Sequence, residues 1–531
     1  MEIHATLPRL AYQHALNVPD QIALVSIGQG SVTWGELWDS ARRWAGWLEA
    51  NGVRPGDRVA SLAPQSLEGT YLWMGCAAAG AVEVSINNQF RGEWLRHALR
   101  VSSAKVVVLA RKFLEQALAV IDGTGVETIL VYDAPNETFG ADCCVKIVTA
   151  SPESAPPGGC DGEPQVFPHD IACILYTSGT TGVSKAVEIP WALLHHTAAT
   201  YGLTFERGPN QVFYFPYSAY HLSGRDALYS AALTGGRSVV RDVFSTSSFW
   251  DDIREHGCTW TLLFAATARF LASVPESPDD LDNPLELVLI NPLLPETDAL
   301  RRRFGFRTYA TYGMTETGIT LVTPPDHAMS AHAGCCGRPV EGLEVRLVDP
   351  HDHAVGPGEV GELVVRGRDP WMITTGYQGA PEATVKAWRN GWFHSGDLFR
   401  VDAQGYYYYI DRSKDMIRRR GENISSFELE SAVLTHATIA EAAAVGVASP
   451  LGDEEVLIAV VAKPGKHINP LELVSYLQER VPRFAVPRYV RILDELPKTQ
   501  STMRVQRQVL RSEGIADGTW DRAEAVEKAV A

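Results

Sequence analysis

The stretch Tyr176 to Val187, YTSGTTGVSKAV, places Thr177, Ser178, Thr180 and Thr181 around Gly179 and Gly182, with Lys185 three residues on. It follows the apolar run Ile171 to Leu175, so it reads as a buried strand emptying into a Gly/Ser/Thr loop. Glycines let backbone amides converge, hydroxyls add donors and lysine adds a cation, a combination suited to a phosphate chain. A Walker A loop is excluded, because Gly182 is followed by Val183 and Lys185 by Ala186.

Four further stretches carry polar chemistry. YATYGMTETG, from Tyr309, is an aromatic turn holding the carboxylate Glu316 between Thr315 and Thr317. WFHSGD ends on Asp397 after a glycine, and DRSKDMIRRRGEN, from Asp411, is a dense charge cluster. PKTQSTMRVQRQVLR, from Pro497, is polar and basic. A carboxylate suits a hard cation or a diol, and the cations suit anionic oxygen.

These groups need elements to hold them, and the chain supplies an alternation. Helical spacing over Thr33 to Asn51 is followed by a strand at Arg58 to Leu62, a helix at Leu67 to Ala79, an apolar Val82 to Ile86, a helix at Arg91 to Val101 and a strand at Ala104 to Leu109. This order predicts an α/β fold with a largely parallel sheet, which binds ligands at the carboxyl ends of its strands. Ser151 to Asp170, rich in Pro and Gly, reads as a connection inside one domain. A second α/β series runs from Gln211 with apolar runs at Ser238 to Val240, Thr261 to Phe264 and Leu287 to Ile290. Short strands at Leu343 to Leu347, Val360 to Val365 and Tyr406 to Ile410 then read as a β-rich subdomain over about residues 340–411. The remaining α/β piece sets the main boundary at Asp411/Arg412, giving an N-terminal domain over 1–411 and a C-terminal one over 412–531.

A chain of 531 residues with 45% hydrophobic and 21% charged residues is a multidomain globular protein. Its formal charge of −16 argues against general nucleic-acid binding. Eight cysteines with no C-x-x-C spacing indicate free thiols rather than a zinc site or a disulfide framework. The N-terminal residues lack a secretory pattern and no run is long enough to span a bilayer, so a cytoplasmic protein without membrane contact is expected.

Taken together and in this order, the five stretches resemble those of the adenylate-forming superfamily of acyl-CoA synthetases, luciferases and peptide-synthetase adenylation domains, from about Leu7 to Arg511. RRRGENISSFELE resembles the carnitine- and crotonobetaine-type CoA ligases and related diazotases. The resemblance implies a large N-terminal domain of two sheet-and-helix lobes plus the β-rich subdomain, and a small mobile α/β C-terminal domain that rotates between two half-reactions. It implies a triphosphate cradle over Thr177 to Lys185, formed by Thr177, Ser178, Gly179, Thr180, Thr181, Gly182 and Lys185. Tyr312 and Gly313 would meet adenine, Thr315 the α-phosphate, and Asp397 and Arg412 the ribose. Glu316, with Thr177, would hold Mg²⁺, and Lys414 would be the hinge. ATP, Mg²⁺ and coenzyme A are the implied small molecules. The implied reaction adenylates an acid and passes it to a thiol, mostly by positioning and charge stabilisation.

The chain departs from the family pattern in places that bear on the substrate. Ser184 and Ala186 stand where proline and glycine are usual, and the Ala186 methyl is expected beside the triphosphate path without harm. Asn291 to Leu294 replaces a small-residue run, which points Asn291 at the acyl pocket or else shifts a bulkier loop outward. In YFPYSAYHLSGRD, Tyr220 and His221 take the place of an aromatic-His pair, while Arg225 and Asp226 add charge near a normally apolar tunnel. A small polar or aromatic acid is therefore favoured over a long fatty acid. Arg504 falls where the adenylating lysine is expected, one residue after Met503, and Lys498 is the second candidate. A diazotase activating nitrite, and a nucleotide binder without turnover, are the competing readings.

Overall fold

The computed structural model describes residues 5–134, 137, 139, 145–156, 159–177, 184–202, 208–293, 296–326, 334–413, 415–419, 422–448, 454–499 and 503–524, without the side chains of 202, 266, 422 and 423. The α/β alternation is present. Helix Trp34–Ala50 is fixed at its start by a reciprocal cap between Thr33 and Glu36, and Ser66 caps Leu67–Ala78 through the Gly69 amide. The strands Arg58–Leu62, Val82–Ser85, Val106–Ala110, Thr128–Tyr132, Lys146–Thr149 and Ile171–Thr177 run parallel in one sheet. Their near-continuous apolar sequences reflect burial on both faces, with Val59, Val84, Val107, Ile129 and Ile174 in one core. At one side the sheet turns antiparallel, with Lys185–Pro190 and then Gly376–Tyr377.

A second sheet contains the parallel strands Ile22–Ser26, Arg237–Val240, Val212–Phe215, Trp260–Phe264, Leu287–Asn291 and Arg307–Tyr309, and Gly30–Thr33 adds antiparallel at its end. Its core includes Tyr214, Val239, Leu263 and Val288. The β-rich strands form at Leu343–Val348, Val360–Gly367, Trp392–Val401 and Tyr407–Arg412. The last piece packs helices Ser426–Leu434 and Pro470–Gln478 on the sheet of Ile439–Ala448, Glu454–Ala462, Tyr489–Ile492 and Trp520–Asp521. Among the described residues, no helix is long and apolar enough to cross a membrane, and every cysteine is free.

The chain divides into two compact units differently from the expected cut after Asp411. One comprises Met1–Ala331, Cys336–Val345 and Val365–Phe393; the other comprises His332–Cys335, Arg346–Val364 and His394–Ala531. The physical reason lies in strand pairing. Trp392–Val401 pairs with Tyr407–Arg412 from Asp397↔Arg412 to Val401↔Tyr407, so residues on both sides of Asp411 share one ladder. Ser425 donates to the Ile410 carbonyl, and Asp411 accepts from the Ser426 amide at 2.6 Å and hydroxyl at 3.1 Å.

Burial pushes the Asp411 carboxyl up to about 6, against the lowering hydrogen bonds from Ser426. A carboxyl raised in the folded state binds protons there that the unfolded chain has released, so its stabilisation is complete below about pH 4 and is lost as pH rises through 6. The loss amounts to about 3 kcal/mol from two pH units. Denaturant unfolding of the compact unit that contains Asp411, within the whole protein and followed from pH 4 to 7, is expected to show this slope in wild type and a flatter one in Asp411→Asn. Equal slopes would remove Asp411 as its source.

Candidate active site

Thr177 and Lys185 are cross-strand partners at the point where Ile171–Thr177 and Lys185–Pro190 part. The Thr177 hydroxyl donates to the Lys185 carbonyl at 3.4 Å, and the exposed Lys185 ammonium lies 4.4 Å from the Tyr377 ring centre. Ser178, Gly179, Thr180, Thr181 and Gly182, between these strands, lie outside the described residues, as does Lys414. Ala186 corrects an expectation: it pairs with Tyr176 in the ladder and is 1% exposed in the core of the first sheet, so its methyl belongs to packing rather than to the phosphate path.

Glu316 sits in the turn of a hairpin formed by Thr311–Met314 and Gly318–Val322. Two glycines make this hairpin close: a Cβ on Gly313 would strike the Gly318 carbonyl, and Gly318 has φ +61 with a Cβ that would strike the Thr197 hydroxyl. Gly313 is thus required by backbone approach, beside buried Tyr312 and half-buried Thr315. The Glu316 carboxylate is buried and accepts the Tyr377 hydroxyl at 2.9 Å, while its backbone carbonyl accepts the Thr374 amide at 2.7 Å. Burial first, and then the Glu316 charge and hydrogen bond, hold the Tyr377 phenol far above its ordinary range, so it stays a donor.

Residues 374–377 form a strap absent from the sequence reading. The Thr374 hydroxyl donates to the Glu188 carbonyl at 2.7 Å, Thr375 donates to the Glu188 carboxylate at 2.6 Å, and Tyr377 pairs with Val187. Thr374, Tyr377 and Glu188 thereby join Lys185 and Glu316 into one group. The available sequence signal was Thr-Thr-Gly-Tyr, a hydroxyl-rich turn with a glycine at φ +145.

Asp397 and Arg412 are brought together as cross-strand neighbours, with Arg412 Nε 3.1 Å from the Asp397 carboxylate. Asp397 is 4% exposed, and its amide donates to the Ser395 hydroxyl at 3.1 Å. The acid expected to face a diol is thus oriented by its own cation.

Arg504 is exposed at the end of a turn in which its amide donates to the Thr499 hydroxyl at 3.2 Å and its carbonyl accepts the Thr499 amide at 2.8 Å. Lys498 is half-buried and paired with Glu441 at 2.6 Å, so Arg504 is the more exposed of the two cations. Met503 has φ +53, a left-handed backbone that an unbranched side chain adopts at a cost of roughly 1 kcal/mol. Met503→Gly is expected to raise stability by up to about that amount, read by denaturant unfolding; a loss of stability would mean that the methionine side chain contributes more than the strain costs.

His221 precedes helix Leu222–Thr234, its ring 4.7 Å from that of Tyr220. Asn291 ends its strand, in register with Phe264, and is followed by a cis peptide to Pro292. Leu293 packs against the second core, and Leu294 lies outside the described residues. Arg225 is 2% exposed, 2.7 Å from the Glu83 carboxylate, with its guanidinium 4.7 Å from the Trp73 ring centre. Ser61 completes the group by donating to Glu83 at 2.6 Å. Arg225 therefore does not present a loose charge to a tunnel: it borders a cavity of about 10 Å³, roughly one water in size, beside Gln65, Trp73 and Gly224.

Known proteins were compared with this arrangement. The model of the AMP-binding enzyme family matches residues 12–378, and that of the AMP-binding enzyme C-terminal domain matches 428–502. Crotonobetaine/carnitine--CoA ligase of Citrobacter koseri is 28% identical over 477 residues, covering 88% of this chain and 91% of that protein. O-succinylbenzoate coenzyme A synthetase from Bacillus subtilis, solved in complex with ATP and magnesium ion, superposes with a TM-score of 0.80 at 25% identity, covering 94% of this chain and 98% of that one. ATP-bound MatB from Rhodopseudomonas palustris gives 0.81 at 25% identity, covering 95% and 98%. The expected fold and the resemblance to adenylate-forming CoA ligases hold across nearly the whole length. The chain belongs to the AMP-binding enzyme family.

Proposed function

We propose that the protein is an ATP-dependent, AMP-forming acid:CoA ligase that acts on a small polar or aromatic carboxylic acid. The observation that carries this reading is the grouping of the Lys185 cation, the Tyr377 hydroxyl and the buried Glu316 carboxylate at the strand that Lys185 opens. A carboxylate oxygen of the acid attacks the α-phosphorus of ATP, the bond to the β-phosphate oxygen breaks, and pyrophosphate leaves an acyl adenylate. The thiol of coenzyme A then attacks the acyl carbon, AMP departs and the thiol proton is released.

Lys185 offsets charge on the phosphates, and Tyr377 fixes the Glu316 carboxylate so that it meets the nucleotide without reorganising. Tyr312 supplies an aromatic face for adenine, and Asp397, aimed by Arg412, accepts from ribose hydroxyls. Among the described residues no cluster of three or more metal-ligating side chains occurs. A lone carboxylate fits Mg²⁺, which takes one or two protein carboxylates plus substrate phosphates, so Glu316 with Thr177 would hold it. When bound, the ion neutralises phosphate charge. Arg504 takes the place of the adenylating lysine, and Lys414, outside the described residues, takes the hinge position between half-reactions. Free thiols and the use of ATP and coenzyme A fit a cytoplasmic site of action.

The test is pyrophosphate release with a panel of small acids, with and without coenzyme A, and with nitrite plus an aryl amine. Acid-dependent release ending in a thioester supports the ligase. Release that needs nitrite and ignores coenzyme A overturns it in favour of a diazotase, and no release overturns it in favour of a silent nucleotide binder.

A further inference from the structure

Helix Leu222–Thr234 begins just past the carboxyl end of strand Val212–Phe215, the side on which parallel sheets take their ligands. Asp226 stands on its second turn at 0% exposure, and Ser230 stands one turn further on, also fully buried. Both carboxyl oxygens of Asp226 and the hydroxyl of Ser230 lack a hydrogen-bond partner among the described residues. Positions four apart share a helix face, so Asp226 and Ser230 lie on one side of this helix. Arg225 does not serve them, being held by Glu83.

The surroundings are aromatic. Asp226 lies close enough to Tyr201 and Tyr229 for its charge to act on both hydroxyls, and Tyr201 is 6.1 Å from the Phe215 ring and 5.3 Å from that of Trp260. Burial drives the Asp226 carboxyl well above the usual carboxylate range, so without a partner it stays neutral. Buried polar groups without partners are rare in folded proteins, and each asks for an occupant.

We propose that Asp226 and Ser230 select the acid, by accepting a hydrogen-bond donor, an amino or hydroxyl group, carried on the acyl part of the substrate away from its carboxylate. This rests on the ligase reading above and narrows its substrate class. A donor satisfies the orphaned oxygens, and an ammonium adds a charge partner that ionises Asp226. An acid without such a group leaves the pair unmatched inside the protein. Sites built to hydrogen-bond a substrate group reject analogues lacking it far more strongly than apolar pockets reject a changed methylene.

The experiment measures pyrophosphate-release kcat/KM for 2-, 3- and 4-aminobenzoate, the matching hydroxybenzoates and benzoate, together with calorimetric binding of the same acids. Wild type is expected to prefer at least one donor-bearing acid over benzoate by about 100-fold or more. Asp226→Ala should cut that ratio at least tenfold, and Asp226→Leu, similar in shape but without an acceptor, gives the same readout if the alanine variant does not fold. A wild type indifferent to the donor, or a ratio unchanged in the variants while stability shifts, overturns the proposal and assigns the pair to buried water. Binding that is donor-selective in wild type and not in Asp226→Leu, with no turnover of any acid, upholds the selection while removing the ligase reading. Absence of both binding and turnover overturns both.

Discussion

Glu316→Ala is expected to lower pyrophosphate release by roughly 10³-fold while the protein remains folded, since loss of a preorganised group that meets transition-state charge costs on that order. The variant removes the proposed metal carboxylate and leaves the Tyr377 hydroxyl without the acceptor it has at 2.9 Å. Glu316→Gln separates these effects, because an amide oxygen still accepts from Tyr377 but carries no charge for a cation. It should be nearly as slow as the alanine variant, with stability within about 1 kcal/mol of wild type. Tyr377→Phe keeps an aromatic ring beneath the Lys185 ammonium and loses only the hydroxyl, so a drop of about tenfold is expected. Rates measured against magnesium concentration complete the test: wild-type turnover in Glu316→Gln would refute the metal assignment.

The second large effect concerns stability. Glu83→Ala leaves the Arg225 guanidinium, 2% exposed, without its carboxylate in a core that contains Trp73 and room for about one water. An uncompensated buried charge costs about 3–5 kcal/mol, so a corresponding loss in denaturant unfolding is expected. The double variant Glu83→Leu with Arg225→Met removes both charges and should recover most of that loss. Recovery together with near-wild-type pyrophosphate release would make Arg225 a structural residue. Recovery without activity would return it to the substrate pocket where its sequence position suggested it belongs.

The contrast between these residues shows what the sequence made legible. Strands such as Arg58–Leu62 and helices such as Leu67–Ala78 were readable because local apolar period and capping residues decide them. Glu316 and Asp397 could be singled out as candidates because each sits in a short motif whose chemistry is local. The ion pair of Arg225 was not legible because its partner, Glu83, lies in an apolar-looking strand of the other sheet, and no sequence spacing announces that meeting. Tyr377 escaped for a related reason: Gly376–Tyr377 is a two-residue strand, too short for a period, and depends on register with Val187 and Glu188. The orientation of Ala186 followed from ladder register too, and a one-residue slip would have put its methyl on the other side.

Strand Ile22–Ser26 finds its parallel partner only at Arg237–Val240, roughly two hundred residues downstream. During synthesis at about 5–20 residues per second, the amino-terminal strand therefore waits roughly ten to forty seconds for the segment that buries it. Over that interval Leu24 and Val25 belong to a nascent chain with an unfilled edge, the kind of exposed strand that invites wrong pairing. That sheet is complete only once translation has passed Arg307–Tyr309, its last strand in chain order, so its amino-terminal edge is the part of the lobe that stays open longest.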